Sequence, residues 1–164
     1  MLRVRQLIPP LTLSAASGSM VRAWDFKQKN NLVIAFLDVD CALCGQFIKS
    51  LIEHTAALNE KQAVVMLAFS QEPASSLTDP LPPGIVAGVD VDNQGARRYL
   101  GNDELSTHGL HRLVIFVTDR YGEISSLWIV SEHNFPAIDE VLRSLESVEM
   151  ACEECSLPEW PRDE

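Results

Sequence analysis

Leu32-Val33-Ile34-Ala35-Phe36-Leu37-Asp38-Val39-Asp40-Cys41-Ala42-Leu43-Cys44 is the stretch on which the fold turns. Six consecutive apolar residues, Leu32 to Leu37, lie between the turn formers Asn30-Asn31 and Asp38. A run of strand length with no polar alternation reads as a strand buried on both faces. After Cys41 the period changes. Leu43, Phe47, Leu51 and Leu58 recur on one helical face, and Ile48 and Ile52 widen the stripe, so an amphipathic helix is expected from Ala42 to Leu58. Ala63 to Phe69 is a second buried strand. Strand, helix and strand within about 40 residues make a parallel βαβ unit with a right-handed crossover. Cys41 sits at its first seam.

Outward from this unit the signals are weaker but ordered. Ile8 to Phe26 mixes Pro, Ser and Gly with short apolar runs and suits an extended or hairpin segment. Pro73, Pro80, Pro82, Pro83 and Gly84 mark a loop. Ile85 to Val91 forms a short strand, and Asp92 caps a brief helix from Asn93 to Leu100 that Gly101 ends. Leu113 to Val117 is the third strong strand, Asp119-Arg120-Tyr121-Gly122 is turn chemistry, and Glu123 to Val130 returns as its hairpin partner. Pro136 lies in the first turn of a last helix with Ile138, Val141, Leu142, Leu145 and Val148 on its apolar face. The expected class is α/β, a central mixed β-sheet flanked by helices on both faces. One domain is expected over residues 1–148, followed by an acidic tail over 149–164.

Composition bounds the function. The chain has 164 residues, 46% hydrophobic, with a formal charge of −10. A chain of this length can bury roughly 70% of its unfolded surface, and a disordered chain would have fewer apolar residues. No run approaches the ~18 apolar residues of a membrane span. An excess of Asp and Glu disfavours nucleic acid, which needs clustered Lys and Arg. The charge is uneven: residues 1–30 are net +4, residues 31–148 net −9 and residues 149–164 net −5. Met1 to Arg5 is basic but leads into no apolar run before Pro9-Pro10, which points away from a signal peptide and towards the cytoplasm.

Four cysteines fall in two pairs of equal spacing, Cys41/Cys44 and Cys152/Cys155. In a reducing compartment such pairs indicate redox chemistry or metal binding. Cys41 lies where a parallel strand ends and a helix begins, the place at which open α/β sheets present ligands. Free N–H groups and the positive end of the helix favour thiolate over thiol. Cys44, one turn on, can attack a mixed disulfide at Cys41 and release the reduced substrate. Two small buried cysteines at a junction are the alternative. Gly45 after Cys44 excludes a c-type haem site. Asp38 and Asp40 would oppose a thiolate, whereas His111 and Arg112, if they face it, would favour it. Asp38 and Asp40 also fit a solvated turn with Asp40 as helix cap. His54, His108 and His133 read as filler, surface or weak loop residues.

With Ile8-Pro9-Pro10-Leu11-Thr12-Leu13, the strand Leu32 to Leu37, Cys41-Ala42-Leu43-Cys44 and Phe116-Val117-Thr118-Asp119-Arg120-Tyr121-Gly122-Glu123-Ile124, the chain resembles the thioredoxin superfamily. Within it, the redoxin or peroxiredoxin-like branch, of the alkyl hydroperoxide reductase and thiol-specific antioxidant type, is the nearer match. The resemblance runs over residues 8–148. It implies a thioredoxin-like fold and a thiol–disulfide oxidoreductase with an antioxidant role, Cys41 as nucleophile and Cys44 as resolving thiol. It implies a thiol or disulfide protein, or a small-thiol donor, as partner, with peroxide as a further substrate. The chain departs from the pattern in four places. Asp40 replaces the thioredoxin Trp, Ile34 and Asp38 replace the peroxiredoxin Pro and Thr/Ser, and Gly109-Leu110-His111-Arg112 lacks the cis-proline. Arg112 lies near the place of the peroxiredoxin arginine, one residue out of step.

The second pair precedes Pro158-Glu159-Trp160-Pro161, an ending similar to those of other redoxin-like proteins. Cys152 and Cys155 suit a relay that reduces a Cys41–Cys44 disulfide. Glu153 and Glu154 should make these thiols less reactive than Cys41. Zinc on the four cysteines is an alternative, although the long interval between the pairs is unlike a zinc ribbon. No organic cofactor is implied. A binding or scaffold module with structural or zinc-holding cysteines is the competing class.

Overall fold

A computed structural model of the chain describes residues 1–78, 80–102, 113–131 and 133–150. Its strands are β1 (Thr12–Ser14), β2 (Met20–Arg22), β3 (Asn31–Leu37), β4 (Ala63–Phe69), β5 (Ile85–Val89), β6 (Val114–Thr118) and β7 (Ile124–Ile129). Its α-helices are α1 (Ala42–Glu53), α2 (Thr55–Glu60), α3 (Ser75–Thr78), α4 (Gln94–Leu100) and α5 (Ile138–Met150), with short 3-10 turns at Ala23–Phe26 and Val91–Asn93. The strands form one sheet in the order β2-β1-β5-β4-β3-β6-β7. β3, β4 and β5 are parallel, while β1, β2, β6 and β7 join antiparallel, so the sheet is mixed as expected.

The central strands read as uninterrupted apolar runs because both faces are covered. Val33, Ala35 and Leu37 pack with Phe47, Ile48 and Leu51 of α1 and with Val141 and Leu145 of α5. Leu32, Ile34 and Phe36 point the other way, onto Ile8, Leu11, Leu13 and, from α4, Ala96, Tyr99 and Leu100. The period-two alternation of strand side chains divides one apolar run between two cores. Phe36, Tyr99 and Phe116 meet with centroids 5.1–6.1 Å apart, and the Tyr99 hydroxyl donates to the Pro9 carbonyl at 3.0 Å. Burial pushes the Tyr99 phenol far up. At the outer crossing, Gly88 leaves room for β1, since a Cβ there would lie 2.8 Å from Leu13 Cβ and 2.9 Å from the Ser14 carbonyl.

Three local expectations are corrected. The helix expected from Ala42 to Leu58 breaks at His54, whose φ is −111° and ψ 22°. The Thr55 hydroxyl donates to the Ile52 carbonyl at 2.8 Å, and His54 Nδ1 lies 2.8 Å from the Ser50 carbonyl, which also accepts the His54 N–H at 3.1 Å, so side chains share the last carbonyls of α1 with the backbone. Ile52 then falls outside the buried stripe and is exposed. Asp92 does not cap α4. Asp90 does: its Oδ1 and Oδ2 accept from the N–H groups of Gly95 at 2.8 Å and Ala96 at 2.7 Å. Asp92 instead adopts φ 55°, one of two left-handed residues that turn the chain into the helix. Pro136 precedes α5 by two residues, rather than sitting in its first turn.

The β6–β7 turn follows its expectation. Asp119 Oδ1 accepts from the N–H groups of Tyr121 and Glu123 at 2.9 and 2.8 Å, and Gly122 takes φ +84°. Burial raises the Asp119 carboxyl above its ordinary range, against the lowering effect of those hydrogen bonds. Among the described residues, no helix is long and apolar enough to cross a membrane.

Candidate redox site

β3 delivers the chain to the site. It is flanked by β4 and β6, and after Leu37 the segment Asp38-Val39-Asp40 leads to α1. Cys41 itself is the N-cap, with extended backbone at φ −104° and ψ 111°. Its sulfur accepts the Cys44 N–H at 3.1 Å. A sulfur therefore occupies the capping role expected of Asp40, which is exposed. Asp38 is 9% exposed, so the solvated-turn expectation holds for Asp40 and not for Asp38.

Cys41 and Cys44 are joined by a disulfide with Cα atoms 5.2 Å apart. The two sulfurs are not equivalent. Cys44 is 2% exposed and belongs to the core, whereas Cys41 is half-buried at its margin beside Val39 and Leu43. An incoming thiolate therefore meets Cys41 first. Once the bond opens, the N–H that holds the Cys41 sulfur and the N-terminal end of α1 stabilise negative charge there.

The same end of the sheet carries an open groove of about 470 Å³, lined by Ser14, Glu72, Pro73, Leu81, Ala87 and Val89 among others. Val89 lies level with Phe69 and Leu37 across β5, β4 and β3, two strands or roughly 10 Å from the strand that leads to the cysteines. Leu81 and Ala87 pack against the same core as Cys41. The Pro-rich segment from Pro73 to Gly84, expected as a loop without regular structure, holds the short helix α3 and contributes Pro73, Ser75, Thr78 and Leu81 to the groove, which no local sequence pattern marks.

Two other histidines are placed away from this chemistry. His54 marks the far end of α1, and His133 is exposed between Ser131 and Asn134. His108, His111, Arg112, Cys152 and Cys155 lie outside the described residues. Among the described residues no cluster of His, Cys, Asp and Glu could hold a metal ion.

No family model and no curated protein sequence matches the chain. Solved structures do. A protein described as thiol:disulfide interchange protein DsbE from Chlorobium tepidum superposes with a TM-score of 0.66 over 88% of this chain and 99% of its own, at 17% identity. Peroxidoxin BcpB from Mycobacterium tuberculosis gives 0.73 over 90% and 99%, at 13% identity. The fold is thioredoxin-like. Plasmodium vivax 2-Cys peroxiredoxin, in its reduced form, gives 0.71 over 91% and 83%, at 16% identity. These thioredoxin-fold neighbours match the redoxin and peroxiredoxin-like resemblance at the level of the fold.

Proposed function

We propose that the protein is a thiol–disulfide oxidoreductase in which Cys41 is the nucleophile and Cys44 the resolving thiol. The observation that carries this reading is the asymmetric pair at the head of α1, with Cys41 accessible and capped by an N–H, and Cys44 buried one turn behind it. In the reducing direction, the Cys41 thiolate attacks a substrate disulfide and forms a mixed disulfide. Cys44 then attacks the Cys41 sulfur, and the substrate leaves as a dithiol while the Cys41–Cys44 bond forms. A thioredoxin- or glutathione-type thiol restores the pair. The reading places the domain of residues 1–148 in a reducing compartment such as the cytoplasm, with the segment 149–164 as an appended acidic dithiol. Cys152 and Cys155 serve it as a relay, and His111 and Arg112 are assigned to favour the thiolate against Asp38 and Asp40.

Peroxide is the second substrate in this reading, supported by the peroxiredoxin neighbours. At position 38 a carboxylate stands where the resemblance calls for a hydroxyl, so peroxide turnover is expected to be slower than disulfide exchange. The decisive experiment offers a protein disulfide to the wild type and to Cys44→Ser. Wild type turns over with a thiol donor, Cys44→Ser accumulates a covalent adduct at Cys41, and Cys41→Ser does neither. A Cys41 thiol that alkylates no faster than free cysteine at pH 7, with no reversible disulfide, overturns the proposal. Stoichiometric zinc lost in Cys152→Ser would support a metal-holding module instead.

A further inference from the structure

β5 keeps an incompletely paired edge inside the sheet. Alternate residues of a strand turn their backbone N–H and C=O groups to opposite edges. The Val65 N–H donates to the Gly84 carbonyl at 2.8 Å and the Asp90 N–H to the Phe69 carbonyl at 2.9 Å, so Val86 and Gly88 between them face β4. Ile85, Ala87 and Val89 therefore direct their backbone groups to the opposite edge. There β1 pairs at a single position, Ser14 with Val89. The chain folds back straight after it, the Ala15 N–H donating to the Ser19 carbonyl and the Gly18 N–H to the Ala15 carbonyl, both at 2.9 Å. The Ile85 N–H is taken by the Pro82 carbonyl at 3.2 Å. Among the described residues, the N–H and C=O of Ala87 and the C=O of Ile85 are left unpaired.

This edge opens into the groove beside the redox end. The β1–β2 turn contributes Ala16 and Ser17 to its lining, the β4–β5 connection contributes Glu72 and Leu81, and β5 itself contributes Ala87 and Val89. A free donor and a free acceptor on one strand residue are matched by a second extended backbone, which presents both at the same spacing. The lining also selects side chains. Leu81 and the half-buried Ala87 offer a small apolar step, and Glu72 is exposed and carries the only charge among the described lining residues, which favours Lys or Arg in the occupant.

We infer that this groove docks an extended, basic segment of a protein disulfide substrate, adding it as a strand to β5 at Ala87, and so delivers the disulfide to Cys41. This rests on the oxidoreductase reading and names its substrate class. Cys41, Leu81 and Ala87 border the same core, so the groove and the reactive sulfur share one face of the sheet. The added strand lies three strand spacings from β3, about 14 Å, and Ala87 lies two residues, about 7 Å, below the level of Leu37. The separation from the end of β3 is roughly 16 Å, which about five extended residues span.

The test compares two disulfides on the full chain with one thiol donor. The first is oxidised glutathione. The second is a synthetic peptide in which a stretch rich in Val and Lys is joined, through a Gly/Ser spacer of about six residues, to a cysteine held as a mixed disulfide with glutathione. The wild type should show a KM for the peptide at least about ten-fold below that for oxidised glutathione. Methylating the backbone nitrogens of the Val- and Lys-rich stretch should cancel this preference, because the loss of two net hydrogen bonds is worth about that factor. Ala87→Pro removes an N–H that serves no ladder bond and should cancel it too, and Glu72→Lys should reduce it. A peptide used equally well with and without the N-methyl groups overturns the inference. So does a peptide no better than oxidised glutathione, and both results leave the oxidoreductase reading intact. A wild type that turns over neither disulfide overturns both.

Discussion

Asp90→Ala tests the packing that holds α4 against the sheet. Asp90 is 2% exposed and spends both carboxylate oxygens on the N–H groups of Gly95 and Ala96, themselves buried at the head of α4. Hydrogen bonds to an ionised acceptor are worth about 1.5–3 kcal/mol each. Losing two sets an upper range of roughly 3–6 kcal/mol, and relief from burying the charge offsets part of it. A net loss of about 3 kcal/mol is expected for Asp90→Ala. Asp90→Asn keeps one acceptor oxygen and should lose roughly half as much. With a urea slope of about 2 kcal/mol per molar, the alanine midpoint falls by ~1.5 M. Asp92→Asn is the control, since Asp92 is exposed in a left-handed turn that Asn tolerates, and its midpoint should stay within ~0.25 M, equivalent to about 0.5 kcal/mol. A loss below about 1 kcal/mol at Asp90, or an equal loss at Asp92, would refute the capping argument.

Asp119 supplies a pH dependence. Burial raises its folded carboxyl above the unfolded value, so the folded state binds the proton first as pH falls. Its contribution to stability therefore increases from neutral pH down through the folded titration and levels off below the unfolded one. Subtracting Asp119→Asn stability from wild type across pH 3–7 should leave a curve that rises towards acid (about 3.9 is the unfolded reference); a flat or opposite difference would contradict it. Tyr99→Phe removes the hydrogen bond to Pro9 while keeping the ring among Phe36 and Phe116. It should cost about 1 kcal/mol in urea unfolding, and a stabilised variant would show that the bond contributes nothing.

The legible parts were those whose signal is local. Ala63 to Phe69 and the run through Leu37 were strands because apolar residues of that length, between turn formers, have few other stable conformations. Cys41 was legible as a junction residue because the period changes beside it. Capping was harder to read. Asp40 and Asp92 each stand two residues before the first residue of the helix they were expected to cap, yet Cys41 and Asp90 hold the bonds. An acceptor's reach depends on backbone angles that neighbouring residues do not specify.

Periodicity together with the spacing of the cysteines was enough to place a dithiol at a strand–helix seam. Those properties reside in neighbouring residues, and short-range sterics and apolar patterning express them. The inequality of Cys41 and Cys44, the groove beside β5 and the seating of Glu149 on Asn31 arise from elements distant in the chain. Asn31 and Glu149 are 118 residues apart, and no local pattern records that they meet. Where α5 ends relative to Cys41 follows from strand order and direction, which are set when two apolar faces of one sheet must both be covered.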